Sequence, residues 1–268
     1  MSKKSFEKPE LSVEDLSHAL YEANQKLTST ISERDEIYAN ISHDLRSPIT
    51  AIRSSIEYLQ SLKEPSMEEI NSTLKLINDR SIVLEKMIND IFTLTKTDFA
   101  LYNLDLSPVP IAPFLEEVFF SYEEDLKFAE RHMVLDVSGD YLDEVFIDPD
   151  NIKKVLDNIF NNALNYSSQG DTITLSLQKS EGKNCFIISI TDTGIGIDKD
   201  NLKLIFDRSY RVDNARTPNS HQGAGLGLSI CKSIIEKHGG SIWCTSEGLG
   251  KGSSFHILIP IYNENGAE

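Results

Sequence analysis

Four short segments of this 268-residue chain carry side chains whose types and spacing could do chemistry. In Ser42-His43-Asp44-Leu45-Arg46-Ser47-Pro48 an imidazole sits beside a carboxylate. Imidazole can act as a nucleophile, and the carboxylate can take the proton on its other nitrogen. A lone helical histidine is more often an ordinary surface or core residue, the reading given to His18, His132, His221, His238 and His256. Asn158 and Asn162 lie four apart, on one side of a helix. Asparagine is a mediocre helix former, so the pair is either a capping or solvated face or a set of carboxamide oxygens. Such oxygens suit Mg²⁺, a hard ion that keeps waters and bridges phosphates. Asp192-Thr193-Gly194-Ile195-Gly196-Ile197 follows a strand pattern. A carboxylate there can accept from an exocyclic amine such as that of adenine, and the glycines let backbone approach a flat ring. An EF-hand starting at Asp192 fails, because Ile197 and Lys203 stand where glycine and glutamate are needed. Gly223-Ala224-Gly225-Leu226-Gly227-Leu228 opens a helix, as a flexible turn or as N–H groups facing an anion. It is neither a dinucleotide fingerprint nor a Walker loop.

The elements that must position these groups fall into two regimes. From Val13, apolar positions alternate three and four apart through Leu16, Leu20, Ala23 and Leu27, then weaken at Thr30 and Arg34 before Ile37 and Ile41. That is a heptad seam, either one amphipathic helix packed on its own domain or a parallel dimeric coiled coil. A second stripe of Ile41, Leu45, Ile49, Ile52, Ile56 and Leu59 carries the helix past His43 to a break at Glu64-Pro65. Met67, Ile70, Leu74, Ile77, Leu84, Ile88, Ile91 and Leu94 line a second helix. Such a hairpin, paired with a second copy, closes a four-helix bundle. Pro48 should kink or soften the first helix, because it lacks the N–H and crowds the Asp44 carbonyl.

Beyond a hinge and first strand at 98–113 the pattern turns mixed. A helix is expected over Pro113 to Arg131, burying Phe114, Leu115, Val118, Phe119, Tyr122 and Leu126. Strands are expected over 134–137, 145–147, 172–177, 185–190, 241–245 and 253–259. Asp148-Pro149 caps a helix carrying Ile152, Val155, Leu156, Ile159 and Ala163. A glycine-rich stretch from Gly194 to Gly227 precedes a helix ending at His238. The fold class is α+β: a dimeric helical hairpin followed by an α/β sandwich. The divisions are 1–36 (signalling helix or coiled coil), 37–105 (hairpin), 106–262 (sandwich) and 263–268 (tail).

Composition limits the function classes. A formal charge of −16 argues against a general nucleic-acid binder. Three scattered cysteines, Cys185, Cys231 and Cys244, imply neither zinc nor a disulfide framework and fit a reducing compartment. No apolar run reaches the roughly 20 residues of a membrane-spanning helix, and MSKKSFEKPE lacks a signal peptide's apolar stretch.

Taken together and in this order, the segments resemble a sensor histidine kinase of two-component signalling. His43 to Pro48 resembles the phosphoacceptor box, Asn158 to Asn162 the N box, Asp192 to Gly196 the first glycine box and Gly223 to Gly227 the second. Ile205-Phe206-Asp207-Arg208-Ser209-Tyr210-Arg211 resembles the F box at the start of the nucleotide lid. The resemblance covers 37–260.

It implies ATP and Mg²⁺, with self-phosphorylation on His43, Asp44 as proton acceptor and Asn158 as metal ligand. Asn162 would lie near the phosphates, Asp192 would bind adenine, and Gly194 and Gly196 would lie at its ring. Tyr166, Ile197 and Leu226 would line the base pocket, with Ser253 near the base. Arg211 and Arg216 would meet phosphate, and Gly223, Gly225 and Gly227 would hinge the lid. The implied partners are a second copy and the receiver domain of a response regulator. The implied location is cytoplasmic, free or as part of a membrane-anchored sensor kinase. An acidic chain that binds ATP must meet the anion with local metal, basic side chains and backbone N–H groups.

Three positions depart from the family pattern. Asn165 replaces a frequent lysine near the phosphates, and Ser209 a frequent phenylalanine. Ser47 stands where Thr or Asn commonly serves dephosphorylation of the partner. A clamp-type ATPase of the same superfamily is the rival enzyme reading, disfavoured because the Asn158 helix offers only Asp157 as a general base. A degenerate, non-catalytic scaffold is the other.

Overall fold

A computed structural model describes residues 13–98, 104–137, 143–180, 184–208, 210 and 225–261. Helix α1 (Val13–Ser61) and helix α2 (Met67–Asp98) form an antiparallel hairpin. The turn before α2 ends in a capping box: Ser66 Oγ accepts the Glu69 N–H while the Glu69 carboxylate accepts the Ser66 N–H. Such reciprocal bonds satisfy two donors that a helix start leaves open. On α1 the buried positions are Ile41, Pro48 and Ser55, a seven-residue repeat facing α2, where Thr73 and Met87 are buried in turn. Pro48 thus sits inside a helix that continues through it, its ring in the hairpin seam. Ile49 and Ile56, one position round the helix, stay about half exposed, as do Leu74 and Ile88 on α2. Among the described residues no helix is long and apolar enough to cross a membrane. Leu94, in the second expected stripe, has no described side chain.

The second region begins with β1 (Ser107–Pro110), paired antiparallel with β3 (Glu144–Ile147). Helix α3 spans Ile111–Glu123, earlier at both ends than the 113–131 expectation. It starts directly after Pro110 and buries Ile111 and Ala112, which the sequence reading assigned to the hinge. It stops because the chain turns at Asp125, whose carboxylate caps a short 3-10 turn, Leu126–Phe128, by accepting the Lys127 N–H. Leu126 is therefore outside the helix and 88% exposed, and Phe128 takes the buried place instead.

Strands β2 (His132–Val137), β4 (Thr172–Lys179), β5 (Cys185–Asp192), β7 (Ser253–Pro260) and β6 (Ser241–Thr245) form one sheet in that spatial order. Only β2 and β4 run parallel. Strand alternation puts Ile173, Leu175 and Leu177, then Phe186, Ile188 and Ile190, then Phe255, Ile257 and Ile259 on one buried face. Helices α3, α4 (Pro149–Tyr166) and α5 (Gly227–Lys237) contribute the facing core. On α4, Ile152, Val155, Leu156, Ile159 and Ala163 recur three and four apart, and all are buried.

The start of α4 is tied to the end of α5. Asp148 caps α4 by accepting the Asn151 N–H at 3.0 Å, and its own N–H donates to His238 Nε2 at 3.0 Å. His238 therefore holds its proton on Nδ1, which donates to the Ile234 carbonyl at 2.8 Å. Burial lowers the His238 imidazole below its usual value, against opposing pulls from the Ile234 carbonyl and Asp148. The unfolded chain then binds more protons than the folded one just below pH 6.5. Stability is complete above the unfolded value and falls as pH drops through that window. Thermal midpoints should decline on moving from about pH 7 to pH 5, with a shallower slope in His238→Gln.

Candidate active site

Asp192 ends β5 on the same face as Ile188 and Ile190, so it points into the helix-facing layer at 3% exposure. The register pairs it with Ser253 on β7. Ser253 Oγ donates to Asp192 Oδ2 at 2.5 Å, and the Gly194 N–H donates to Oδ1 at 2.9 Å. Burial pushes the Asp192 carboxyl up, against those hydrogen bonds, which favour the charged form. A carboxylate in this setting is a fixed acceptor on a dry wall.

The loop after Asp192 is pressed onto the end of α4. The Tyr166 carbonyl accepts the Ile195 N–H at 3.0 Å, and a Cβ on Gly194 would lie 2.1 Å from that oxygen. Gly196 has φ +70°, and a Cβ there would meet the Gly248 carbonyl at 2.2 Å. Gly194→Ala must push α4 and the loop apart, and a loss of about 2 kcal/mol or more in unfolding free energy is expected on chemical denaturation. Arg131 holds the same helix end, donating to the Ser167 carbonyl at 2.8 Å and the Leu164 carbonyl at 3.3 Å. Tyr166, at the end of α4, is exposed, and Ile197, at the end of the loop, is half-buried. The Ile197 N–H donates to Ser246 Oγ.

About two turns back along α4, Asn158 meets the second glycine segment. A Cβ on Gly227 would lie 2.9 Å from Asn158 Oδ1, so a larger residue there would crowd that carboxamide oxygen. The Asn158 amide donates to the Lys154 carbonyl at 3.1 Å, which directs the oxygen away from its own helix. Asn162 follows on α4 and is half-buried. Gly225 takes φ +67° just before Leu226, which is buried at the start of α5. Gly223, Arg211, Arg216, Ser209 and His221 lie outside the described residues.

Sequence reasoning passed over Asp157 as a structural group. The Tyr122 hydroxyl of α3 donates to its carboxylate, and Tyr122 stacks on Phe160 at 4.2 Å between centroids. Burial and then that bond push the Tyr122 phenol up. The expected signal was a tyrosine on an apolar face, which needs a polar partner when buried. Asp157 and Asn158 line a cleft of about 390 Å³ between α4, α5 and the hairpin helix α2.

On the hairpin, the His43 side chain is 81% exposed and that of Asp44 23%. Nδ1 lies 3.4 Å from Asp44 Oδ1. With the proton on Nδ1, the ring donates to Asp44 and leaves the Nε2 lone pair outward. Ser47, one turn further along α1, is also exposed.

Known families match both regions. The His Kinase A (phospho-acceptor) domain matches residues 33–99. The histidine kinase-, DNA gyrase B- and HSP90-like ATPase domain matches residues 147–263. The sensor histidine kinase WalK of Bacillus subtilis is 36% identical over 239 residues, which cover 87% of this chain. The chain belongs to the sensor histidine kinases. This kinase chain spans 37% of the length of WalK. The Acinetobacter baumannii histidine kinase AdeS shares its fold with a TM-score of 0.62 at 25% identity, over 82% of this chain and 98% of that one. Histidine kinase ThkA, solved in complex with the response regulator protein TrrA, superposes with a TM-score of 0.70 at 23% identity. That match covers 91% of this chain and 67% of that one.

Proposed function

We propose that the chain transfers the γ-phosphoryl group of ATP to Nε2 of His43 and then to an aspartate of a response regulator. The observation that carries this reading is the pairing of two sites on one chain. One is an exposed imidazole whose second nitrogen faces a carboxylate. The other joins a buried Asp192 acceptor with an Asn158 carboxamide that packs against Gly227.

ATP would bind with its adenine amine on Asp192, flanked by Tyr166, Ile197, Leu226 and Ser253, and with its ring against the Gly194–Gly196 backbone. Asn162, Gly225 and Gly227, with Arg211, Arg216 and Gly223, would serve the phosphate chain and its lid. The space that Gly227 leaves at the Asn158 oxygen fits Mg²⁺, a hard ion that takes carboxamide ligands, and Asn158 would hold it. When bound, Mg²⁺ neutralises phosphate charge. His43 Nε2 attacks the γ-phosphorus in line, the bond to the β–γ bridging oxygen breaks, and ADP leaves with that electron pair. Asp44 takes or stabilises the Nδ1 proton. Positioning and charge neutralisation do most of the work in such transfers.

The half-exposed Ile49, Ile56, Leu74 and Ile88 support a second copy of the hairpin as the covering partner. Burying the exposed half of each such side chain contributes about 1 kcal/mol. The ThkA complex with TrrA supports a response regulator as the acceptor. Exposed Ser47, one turn from His43, could orient a water for dephosphorylation of that regulator. ATP as substrate supports a cytoplasmic location, free or as part of a membrane-anchored sensor kinase.

Incubation with γ-labelled ATP and Mg²⁺ should give a protein label that survives alkali and is lost in acid, as expected of an N–P bond. An absent label, or one lost in alkali and stable in acid, would sink the reading.

A further inference from the structure

The cleft of about 390 Å³ between the hairpin and the sandwich holds two lysines from different elements. Lys154 lies on α4 one turn before Asn158, and Lys86 lies on α2 across the cleft. Neither enters a salt bridge among the described residues. Lys154 Nζ instead donates to Asn151 Oδ1 at 3.3 Å, a long bond to a neutral partner. Two carboxylates, Asp157 and Asp90, share the cleft. Tyr122 donates to Asp157. Burial in the cleft, against the pull of Lys86, pushes the Asp90 carboxyl up.

Acidic side chains outnumber basic ones, 42 to 26, in this chain of net charge −16. Asn165, where the family resemblance expects a lysine, is exposed, and it does not line this cleft. Asn158 lines it and also faces Gly227, so the cleft opens from the place proposed for the metal and phosphates.

We propose that Lys154 and Lys86 contact the terminal phosphate of ATP, Lys154 in the bound state and Lys86 as the group moves to the hairpin. The proposal rests on the kinase reading and extends it: the hairpin supplies a cation to the phosphate as well as the nucleophile. Ammonium groups suit this task as compact charges on flexible stems, able to follow a phosphate that changes owner. Neither lysine forms a bond. Each neutralises charge on the non-bridging oxygens while the P–O bond breaks and the P–N bond forms.

The test uses the whole chain with Lys154→Met, Lys154→Arg and Lys86→Met, measuring calorimetric affinity for Mg·ATP, Mg·ADP and adenosine and the rate of His43 labelling. Lys154→Met should weaken ATP by about tenfold or more, the scale of one lost charge-assisted hydrogen bond. ADP should weaken less and adenosine not at all, and Lys154→Arg should restore most of the loss. Lys86→Met should slow labelling at saturating ATP by about tenfold, with ATP affinity changed by less than about threefold. A purely structural lysine would move all three ligands together. Lysine variants that bind and label like a labelling parent overturn the proposal, as does equal weakening of ATP, ADP and adenosine. A parent chain that binds ATP but never labels counts against the kinase reading instead, and the ATP-against-ADP comparison then still decides the Lys154 contact.

Discussion

His43→Gln is expected to abolish phosphate incorporation from γ-labelled ATP, a loss of at least about 10³-fold, because it removes the attacking lone pair itself. Glutamine keeps a polar, helix-compatible side chain of similar reach, so the fold should not respond. The position is 81% exposed on its side chain and lies outside the buried hairpin seam of Ile41, Pro48 and Ser55. Nucleotide affinity should therefore stay within about twofold of the parent, since His43 and Asp192 lie on separate regions. Asp44→Asn should fall between the two, because the amide keeps the shape but cannot stabilise a developing imidazolium charge. Equal labelling of His43→Gln and the parent would place the phosphate on another residue.

Asp192→Ala is expected to cost about 100-fold or more in ATP affinity. A site built to hydrogen-bond a polar group rejects its ligand strongly once the partner is gone, because the remaining groups are buried and unpaired. Three donors lose their acceptor together: the adenine amine, Ser253 Oγ and the Gly194 N–H. Asp192→Asn is the sharper variant, since it conserves volume while it can turn an amide donor towards the amine. It should also bind poorly. In the parent, ATP affinity should fall on acidification, because the buried carboxyl takes up its proton above the ordinary carboxylate value and a protonated acid is a weaker acceptor. Calorimetric titration at several pH values measures both effects. Unchanged affinity in both variants would remove Asp192 from the base pocket.

Much of the architecture was legible in the chain because it depends on local rules. Heptad spacing and the Glu64-Pro65 break predict two helices and their turn, and α1 and α2 follow. Asp148-Pro149 predicts a capped helix start, and the cap bond to Asn151 is formed. Period-two alternation predicts a strand over 185–190 just ahead of Asp192; β5 runs two residues further, and the register turns Asp192 inward beside Ser253.

The α3 boundaries were not legible. Pro113 resembles a helix start, but the helix begins at Ile111, directly after the β1–β3 pairing that ends at Pro110. Leu126 looked buried by periodicity until Asp125 stopped the helix before it. By itself, then, the sequence determined element types, their order and the chemistry of the groups they carry, since each depends on neighbours a few residues away. Only the tertiary structure decided that Gly194 has no room against Tyr166, that Gly227 packs against the Asn158 carboxamide, and that Lys86 and Lys154 share one cleft. Those are meetings of residues separated by up to about seventy positions in the chain. Packing sets them, and no local pattern encodes which carbonyl will approach which glycine.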